Sequence, residues 1–233
     1  MVSHEVLLTC PALRQLGSGA LDAIASRART IEFRRGERVA GLVDPPKRLV
    51  FLLAGLAKLS AATADGRERI VYVFRPGDIV GSRVLIGKSV ESDYEVVAMT
   101  KLSGVVLDLA DFQAITEEHP EVLIAVTQNL TRRLDRLTAR LMGVMSEEVS
   151  LRLCRLLLDF VEVEKNGSDG FVRLVHPLTH ETMAHIVGAS RPHTSTVLSD
   201  LEKEGVVKRQ RRDLLVHPQR LAEMIGNPGW PLP

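Results

Sequence analysis

The chain has 233 residues, 45% of them hydrophobic, and a formal net charge of +1; this is enough apolar content for two modest folded cores. The near-neutral balance excludes a global basic field, so any contact with nucleic acid must rest on local patches. The opening MVSHEVLLTCPALRQ has no basic segment followed by an apolar run, and the longest apolar stretch, Leu49 to Ala57, is too short to span a bilayer. No signal peptide and no membrane contact are expected, and the predicted location is the cytoplasm.

In chain order, a short helix is predicted around Gly19 to Arg29, followed by a β-rich region from Ile31 to about Asp108. Its turns fall at Arg35-Gly36, Asp44-Pro45-Pro46, Asp65-Gly66, Pro76-Gly77 and Gly87-Lys88, and segments such as IVYVF and EVVAM between them are β-branched and aromatic. Many short strands at even spacing predict a closed roll or barrel. Asp111 then opens a long helix, interrupted near Pro120, that runs to about Met145. Thr127, Leu130, Leu134, Leu137, Leu141 and Val144 alternate by three and four along it, the pattern of a coiled-coil seam. Arg132, Arg133, Asp135, Arg136 and Arg140 flank the seam and keep it narrow, which predicts a zipper between two copies of the chain. A hinge is expected near Gly143 to Glu148, with Ser146 capping the next helix, Val149 to about Glu164. Asn166-Gly167 and Asp169-Gly170 then turn into a strand, FVRLV.

The stretch LTHETMAHIVGASRPHTSTVLSDLEKEGVV reads as two short helices broken at Gly188. Thr179 and Ser190 are the expected N-caps, and Pro192 falls in the first turn of the second helix, where its missing N–H costs nothing. Met183, Ile186 and Val187 face inward from the first helix, and Val197, Leu198 and Leu201 from the second. Arg191, His193, Thr194 and Thr196 are left for the outside. Two helices so arranged form a DNA-reading helix-turn-helix. The sequence that follows, VVKRQRRDLLVHP, predicts a β-hairpin carrying Lys208, Arg209, Arg211 and Arg212, which fits a wing touching phosphates. Lys208, Arg211 and Arg212 are the expected wing contacts.

GASRPHTSTVLSDLEKEG resembles the recognition element of the cyclic-AMP receptor protein/FNR superfamily of bacterial transcription factors. The resemblance extends upstream through LVFLLAGLAKL, through Asp65-Gly66-Arg67-Glu68, and through Arg75-Pro76-Gly77-Asp78-Ile79-Val80-Gly81, which matches the start of the family's ligand-binding cassette. It implies an α+β chain with a jelly-roll-like β-roll sensor over 1–110, a dimerisation helix over 111–145 and a winged helix-turn-helix over 146–233. It also implies three partners: double-stranded DNA bearing a palindromic operator, a second copy of the chain, and RNA polymerase. Thr179, Ser190, Arg191, His193, Thr194 and Thr196 become the DNA-facing set. Pro192 and Thr196 stand where the family commonly carries Glu and a second Arg, which implies an operator different from the family's TGTGA half-site.

The sensory positions depart from the cyclic-AMP-binding members. Laid on their pattern, Ser82 takes the place of the Glu that holds the ribose, and Ser92, followed by Asp93, takes the place of the Arg that pairs with the cyclic phosphate. A partly buried anion needs a charge-assisted donor, which Ser92 beside Asp93 does not supply. Leu137 and Thr138 fall where relatives offer two hydroxyls to the base, and one of those hydroxyls remains. The expected effector is a small molecule other than cyclic AMP, in a pocket drawn from Ser82, Arg83, Val84, Leu85, Ser92, Asp93, Leu137 and Thr138; alternatively Val84, Leu85 and Leu137 fill that pocket. No cofactor is assigned.

Two cysteines, Cys10 and Cys154, cannot supply the four thiolates of an iron–sulfur cluster. His180 to His185 imitates a zinc-protease helix, but its histidines are five apart rather than four and do not share a face. No catalytic or metal site is expected, and the histidines read as exposed groups on the first helix of the DNA reader. Two other readings stay open: a ligand-binding module that has lost operator specificity, and a metalloenzyme built around His180.

Overall fold

The structure is a computed structural model that describes residues 2–40, 47–62, 68–86, 94–161, 170–174, 178–210 and 213–226. The chain divides into two compact units, Met1–Arg136 and Leu137–Pro233. The division falls inside the long helix rather than at either of its ends.

The first unit begins with helices α1 (His4–Leu8) and α2 (Ser18–Arg27). Strands β1 (Arg29–Phe33), β2 (Arg38–Ala40), β3 (Arg48–Ala54), β4 (Ala57–Ala62), β5 (Glu68–Phe74), β6 (Ile79–Val80), β7 (Tyr94–Ala98) and β8 (Leu102–Asp108) follow. Among the described residues they form two four-stranded antiparallel sheets, in the orders β1-β8-β3-β6 and β2-β7-β4-β5. Strand β3 is buried on both faces (Leu49, Val50, Phe51 and Leu52 are all buried), which is why it reads as a continuous apolar run rather than an alternation. Leu49, Phe51, Val105 and Leu107 join Leu7, Leu13 and Ile24 from the N-terminal helices in one core. Each fully buried Leu or Ile in it contributes on the order of 1.5–3 kcal/mol. Gly81 closes the turn after β6 with φ +89, and a Cβ there would collide with the carbonyl oxygen of Arg48.

Helix α3 (Leu109–Glu118) ends at His119, whose backbone (φ −129, ψ 74) leaves the helical region, which the following Pro120 disfavours for it. Helix α4 then runs unbroken over Pro120–Ser146. Val122, Ala125 and Val126 on its first turns are buried in the first unit's core, and Leu130 packs against the same core.

The second unit contains the end of α4, then α5 (Val149–Asp159), strand β9 (Val172–Arg173), α6 (His180–Val187), α7 (Arg191–Lys203), the hairpin β10 (Val207–Gln210) and β11 (Asp213–Val216), and α8 (Pro218–Met224). The hairpin is extended by β9 into a three-stranded sheet, β10-β11-β9. Helix α5 packs on α6, α7 and α8. Its stripe of Leu153, Cys154, Leu157 and Leu158 is fully buried, and burial pushes the Cys154 thiol up to about 12, as expected of a cysteine used for packing.

The junction where a hinge is expected carries side-chain contacts. Arg155 chelates Glu147 through Nη2 and Nε at 2.8–3.1 Å, and Arg152 Nη1 donates to the Val144 carbonyl at 3.2 Å. Ser146 does not cap the next helix. It remains in α4, donating to the Met142 carbonyl at 2.8 Å, and Glu148 takes the N-cap position.

Candidate nucleic-acid interface

Local chemistry sets both ends of the α6–α7 turn. Thr179 caps α6, its Oγ1 accepting from the Thr182 N–H at 3.0 Å, and Ser190 caps α7 by accepting from the His193 N–H. Each cap is worth roughly 1 kcal/mol against alanine. Between them Gly188 takes the left-handed conformation, φ 71, that ends α6 and reverses the chain. Met183, Ala184, Ile186 and Val187 of α6 and Leu198 and Leu201 of α7 are buried where the two helices meet.

Arg191, Pro192, His193 and Thr196 are exposed along the first half of α7. Thr194 is not. It is fully buried, with its Oγ1 donating to the Ser190 carbonyl at 3.0 Å. The helix phase explains the correction: Thr194 lies four residues before Leu198 and seven before Leu201, on the core stripe, and a threonine methyl fits there while its hydroxyl is satisfied locally. Val197, expected inward, is only half-buried.

The histidines of α6 also differ from expectation. His180 is half-buried, its Nδ1 2.8 Å from Oγ of Ser195 on α7, and burial with Arg209 and Arg191 nearby lowers its pKa. His185 is half-buried, and its carbonyl accepts from Arg140 Nη2 at 3.2 Å, which ties the end of α4 to α6. Sequence reasoning missed the role of His180 in joining the two helices. Its position directly after an N-cap was the available signal.

In the wing, Lys208 and Arg209 are exposed on β10 itself rather than in its turn. Lys208 Nζ lies 5.2 Å above the Phe171 ring, and Arg209 pairs with Glu202 at 3.3 Å. Arg211 and Arg212 lie outside the described residues. The interface therefore presents two cationic wing residues beside a helix end bearing Arg191.

The sensor positions divide between the two units. Ser82 to Leu85 form a short 3-10 turn, Ser82–Ile86, after Gly81. Ser82 is half-buried and Arg83 exposed, while Val84 and Leu85 turn into the first unit's own core. Leu137 is half-buried and Thr138 exposed in the second unit; Ser92 and Asp93 lie outside the described residues. Among the described residues no three His, Cys, Asp or Glu side chains converge as a metal set, and no helix is long and apolar enough to cross a membrane.

A polar cluster links the cassette to α4 within the first unit. Asp78 is buried and accepts from Arg136 Nη2 at 2.6 Å, from the Tyr72 hydroxyl at 3.1 Å and from the Arg75 N–H at 2.9 Å. Nearby, the buried Asn129 side chain donates to the Gly77 carbonyl at 2.7 Å. Arg133 lies over the Tyr72 and Phe74 rings at 4.8 and 4.6 Å.

Residues 151–224 match the Crp-like helix-turn-helix domain and residues 30–119 the cyclic nucleotide-binding domain, which together span well over half the chain. The chain is 25% identical, over 94% of its length and 97% of the relative's, to a CRP-like cAMP-activated global transcriptional regulator of Mycobacterium tuberculosis. It is 26% identical to the global nitrogen regulator of a Synechocystis strain, over 88% of this chain and 89% of that one. Among solved structures, a CRP-family transcriptional regulator from Thermus thermophilus superposes with a TM-score of 0.67 at 25% identity, covering 84% of this chain and 97% of that one. The c-di-GMP responsive global regulator CLP of Xanthomonas campestris shares the fold, with a TM-score of 0.70 at 20% identity over 86% and 99% of the two chains. With a β-roll, a long helix and a winged helix-turn-helix in this order, the chain belongs to the cyclic-AMP receptor protein/FNR superfamily and is a DNA-binding transcription regulator of that type.

Proposed function

We propose that the chain acts in the cytoplasm as a homodimeric regulator that reads a palindromic operator and engages RNA polymerase, under the control of a small molecule other than cyclic AMP. The observation that carries the reading is the exposed first half of α7, where Arg191, His193 and Thr196 stand clear of the core beside the basic strand β10. Arg191 reads a guanine edge, a bidentate contact worth about 1–3 kcal/mol of discrimination. Thr179, Ser190, Lys208, Arg211 and Arg212 hold phosphates and fix the register.

The surface of α4 supports the dimer. Leu134 is 62% exposed, Leu141 61% and Met145 74%, too much apolar surface for a helix finished by its own chain. Exposed residues recur at Ile124, Thr127, Thr131, Leu134, Thr138, Leu141 and Met145, a three-four alternation throughout. This seam shares Thr127, Leu134 and Leu141 with the one expected from sequence but is rotated away from Leu130, which packs against the first unit's core. An open apolar groove lined by Leu123, Ile124, Thr127, Gln128, Thr131 and Arg132 continues it toward the N-terminal end of the helix.

The effector proposal rests on residue chemistry. The M. tuberculosis relative is named as cAMP-activated, whereas this chain carries Ser82 and Ser92 at the positions that hold ribose and cyclic phosphate in cyclic-AMP-binding members. Selection of duplexes from a random pool by the full-length chain tests the reading. A two-fold symmetric consensus is expected, and Arg191→Ala should relax it at one position per half-site. Binding with no sequence preference would instead support a ligand-binding module that has lost operator specificity.

A further inference from the structure

His180 opens α6 directly after the exposed cap Thr179, with its ring against the recognition helix. The partner of its Nδ1, Ser195 Oγ at 2.8 Å, lies between the buried Thr194 and the exposed Thr196. The ring therefore borders the part of α7 that faces outward rather than lying behind it. Among the described residues its second nitrogen, Nε2, has no hydrogen-bond partner. A serine hydroxyl can donate or accept, so the contact with Ser195 survives in either charge state of the ring.

The charged groups around this ring come from three elements. Arg191 stands at the start of α7 and Arg209 on β10; together with burial, which is the larger effect, they hold the pKa of His180 below the ordinary histidine value. Glu181 follows it on α6, and Glu202 of α7 is engaged by Arg209 at 3.3 Å. His193 is exposed on the first turn of α7. The free protein thus keeps a neutral imidazole close to two guanidinium groups. That surrounding repels a proton on the ring, and the same field attracts an anion. A DNA phosphate placed there offsets the field of the two guanidinium groups and favours the imidazolium.

We propose that His180 is a proton-linked phosphate contact: as the second unit closes on duplex DNA, the ring takes a proton from solvent and Nε2–H donates to a phosphate oxygen while Nδ1–H donates to Ser195 Oγ. The proposal rests on the DNA-reading assignment of α7. The complex then carries one proton more than its separated components, so affinity rises as pH falls. His180 is a positioning group in the free protein, joining α6 to α7, and a direct contact in the complex.

The test measures affinity of the full-length chain for the tightest duplex recovered from a random pool, at constant ionic strength, between about pH 8 and about pH 6, the range in which histidine titrates. Affinity should rise on the order of three- to tenfold toward the acid end, as a one-unit rise in a single pKa allows. His180→Gln, which keeps a hydrogen-bonding side chain but cannot take up a proton, should flatten that rise, whatever its affinity near pH 8. His193→Gln should keep it. An identical pH slope in His180→Gln, or no slope in the wild type, overturns the proposal while leaving the DNA assignment standing. Failure to bind any duplex at any pH would sink both. Should His180→Gln fold poorly, NMR titration of the wild-type ring gives the same decision: its pKa must be higher in the complex than in the free chain, and an equal or lower value refutes the contact.

Discussion

Arg136 and Asp78, 58 residues apart in sequence, meet at 2.6 Å, joining the long helix α4 to the turn that opens the cassette. Burial, the largest single effect, lowers the pKa of Arg136, but the charges of Asp78 and Tyr72 and the hydrogen bonds to both together outweigh it, and the guanidinium is held above its ordinary range. Asp78 is almost wholly enclosed, with 5% of its side chain exposed, so removing its partner strands a buried charge. Arg136→Met should destabilise the chain by about 3 kcal/mol, the low end of the cost of breaking a buried pair because the arginine itself is partly solvated. Adding Asp78→Asn should recover part of the loss. Denaturant unfolding of the two single variants and the double variant measures this coupling, and strictly additive effects would contradict it.

The same cluster predicts an alkaline limit. Burial, then the charge of Asp78, pushes the Tyr72 hydroxyl up to about 12 from an ordinary value of 10.0. The native state keeps this proton more tightly than the unfolded chain does. Its contribution is therefore fully present below about pH 10 and is lost as pH rises through about 12. Tyr72→Phe should lose the late phase of phenolate absorbance and show a flatter fall in stability over that window.

Thr194 and Thr196 are two residues apart and should behave oppositely. Thr194 is fully buried, so Thr194→Val should cost about 1 kcal/mol through its lost hydrogen bond and leave operator preference unchanged. Thr196 is exposed, so Thr196→Val should leave stability within about 0.5 kcal/mol and change base preference. Duplex selection beside thermal unfolding distinguishes the two. A change of preference in Thr194→Val would contradict the placement of that side chain.

Lys208 is exposed on β10, and a phosphate contact from it should act on all sequences alike. Lys208→Ala should weaken operator and random duplex by similar factors and lower the slope of log affinity against log salt by about 0.9. Loss confined to one operator base would mean that the wing reads sequence.

Much of the fold was legible because its signals are local. Thr179, Gly188 and Ser190 sit within twelve residues of one another, and cap, left-handed turn and cap each leave a mark in residue type. Pro120 marked the break before α4 for the same reason. Thr194 reads as outward from its hydroxyl alone, although the helix phase it shares with Leu198 and Leu201 puts it inside. Leu130 fits the seam by its alternation with the other leucines, and nothing in that alternation says which leucine the helix's own unit will claim. The contacts of Asp78 with Tyr72 and Arg136, and of His180 with Ser195, depend on the completed fold. The junction contact of Glu147 with Arg155 hides in a pair eight residues apart, where a charged helix surface gives no distinguishing pattern.

In the proposed assembly two copies of the chain join along α4 so that paired recognition helices meet successive major grooves about 34 Å apart. Leu134 tests it best: it lies at the middle of the exposed stripe and is 62% exposed in the single chain, so a charge there need not disturb either unit. Sedimentation of Leu134→Glu with and without the selected operator duplex is the measurement. Wild-type dimers that bind as two chains per duplex are expected, and Leu134→Glu monomers that keep native secondary structure but lose operator binding. A Leu134→Glu chain that still sediments as a dimer and still binds its operator would contradict that assembly.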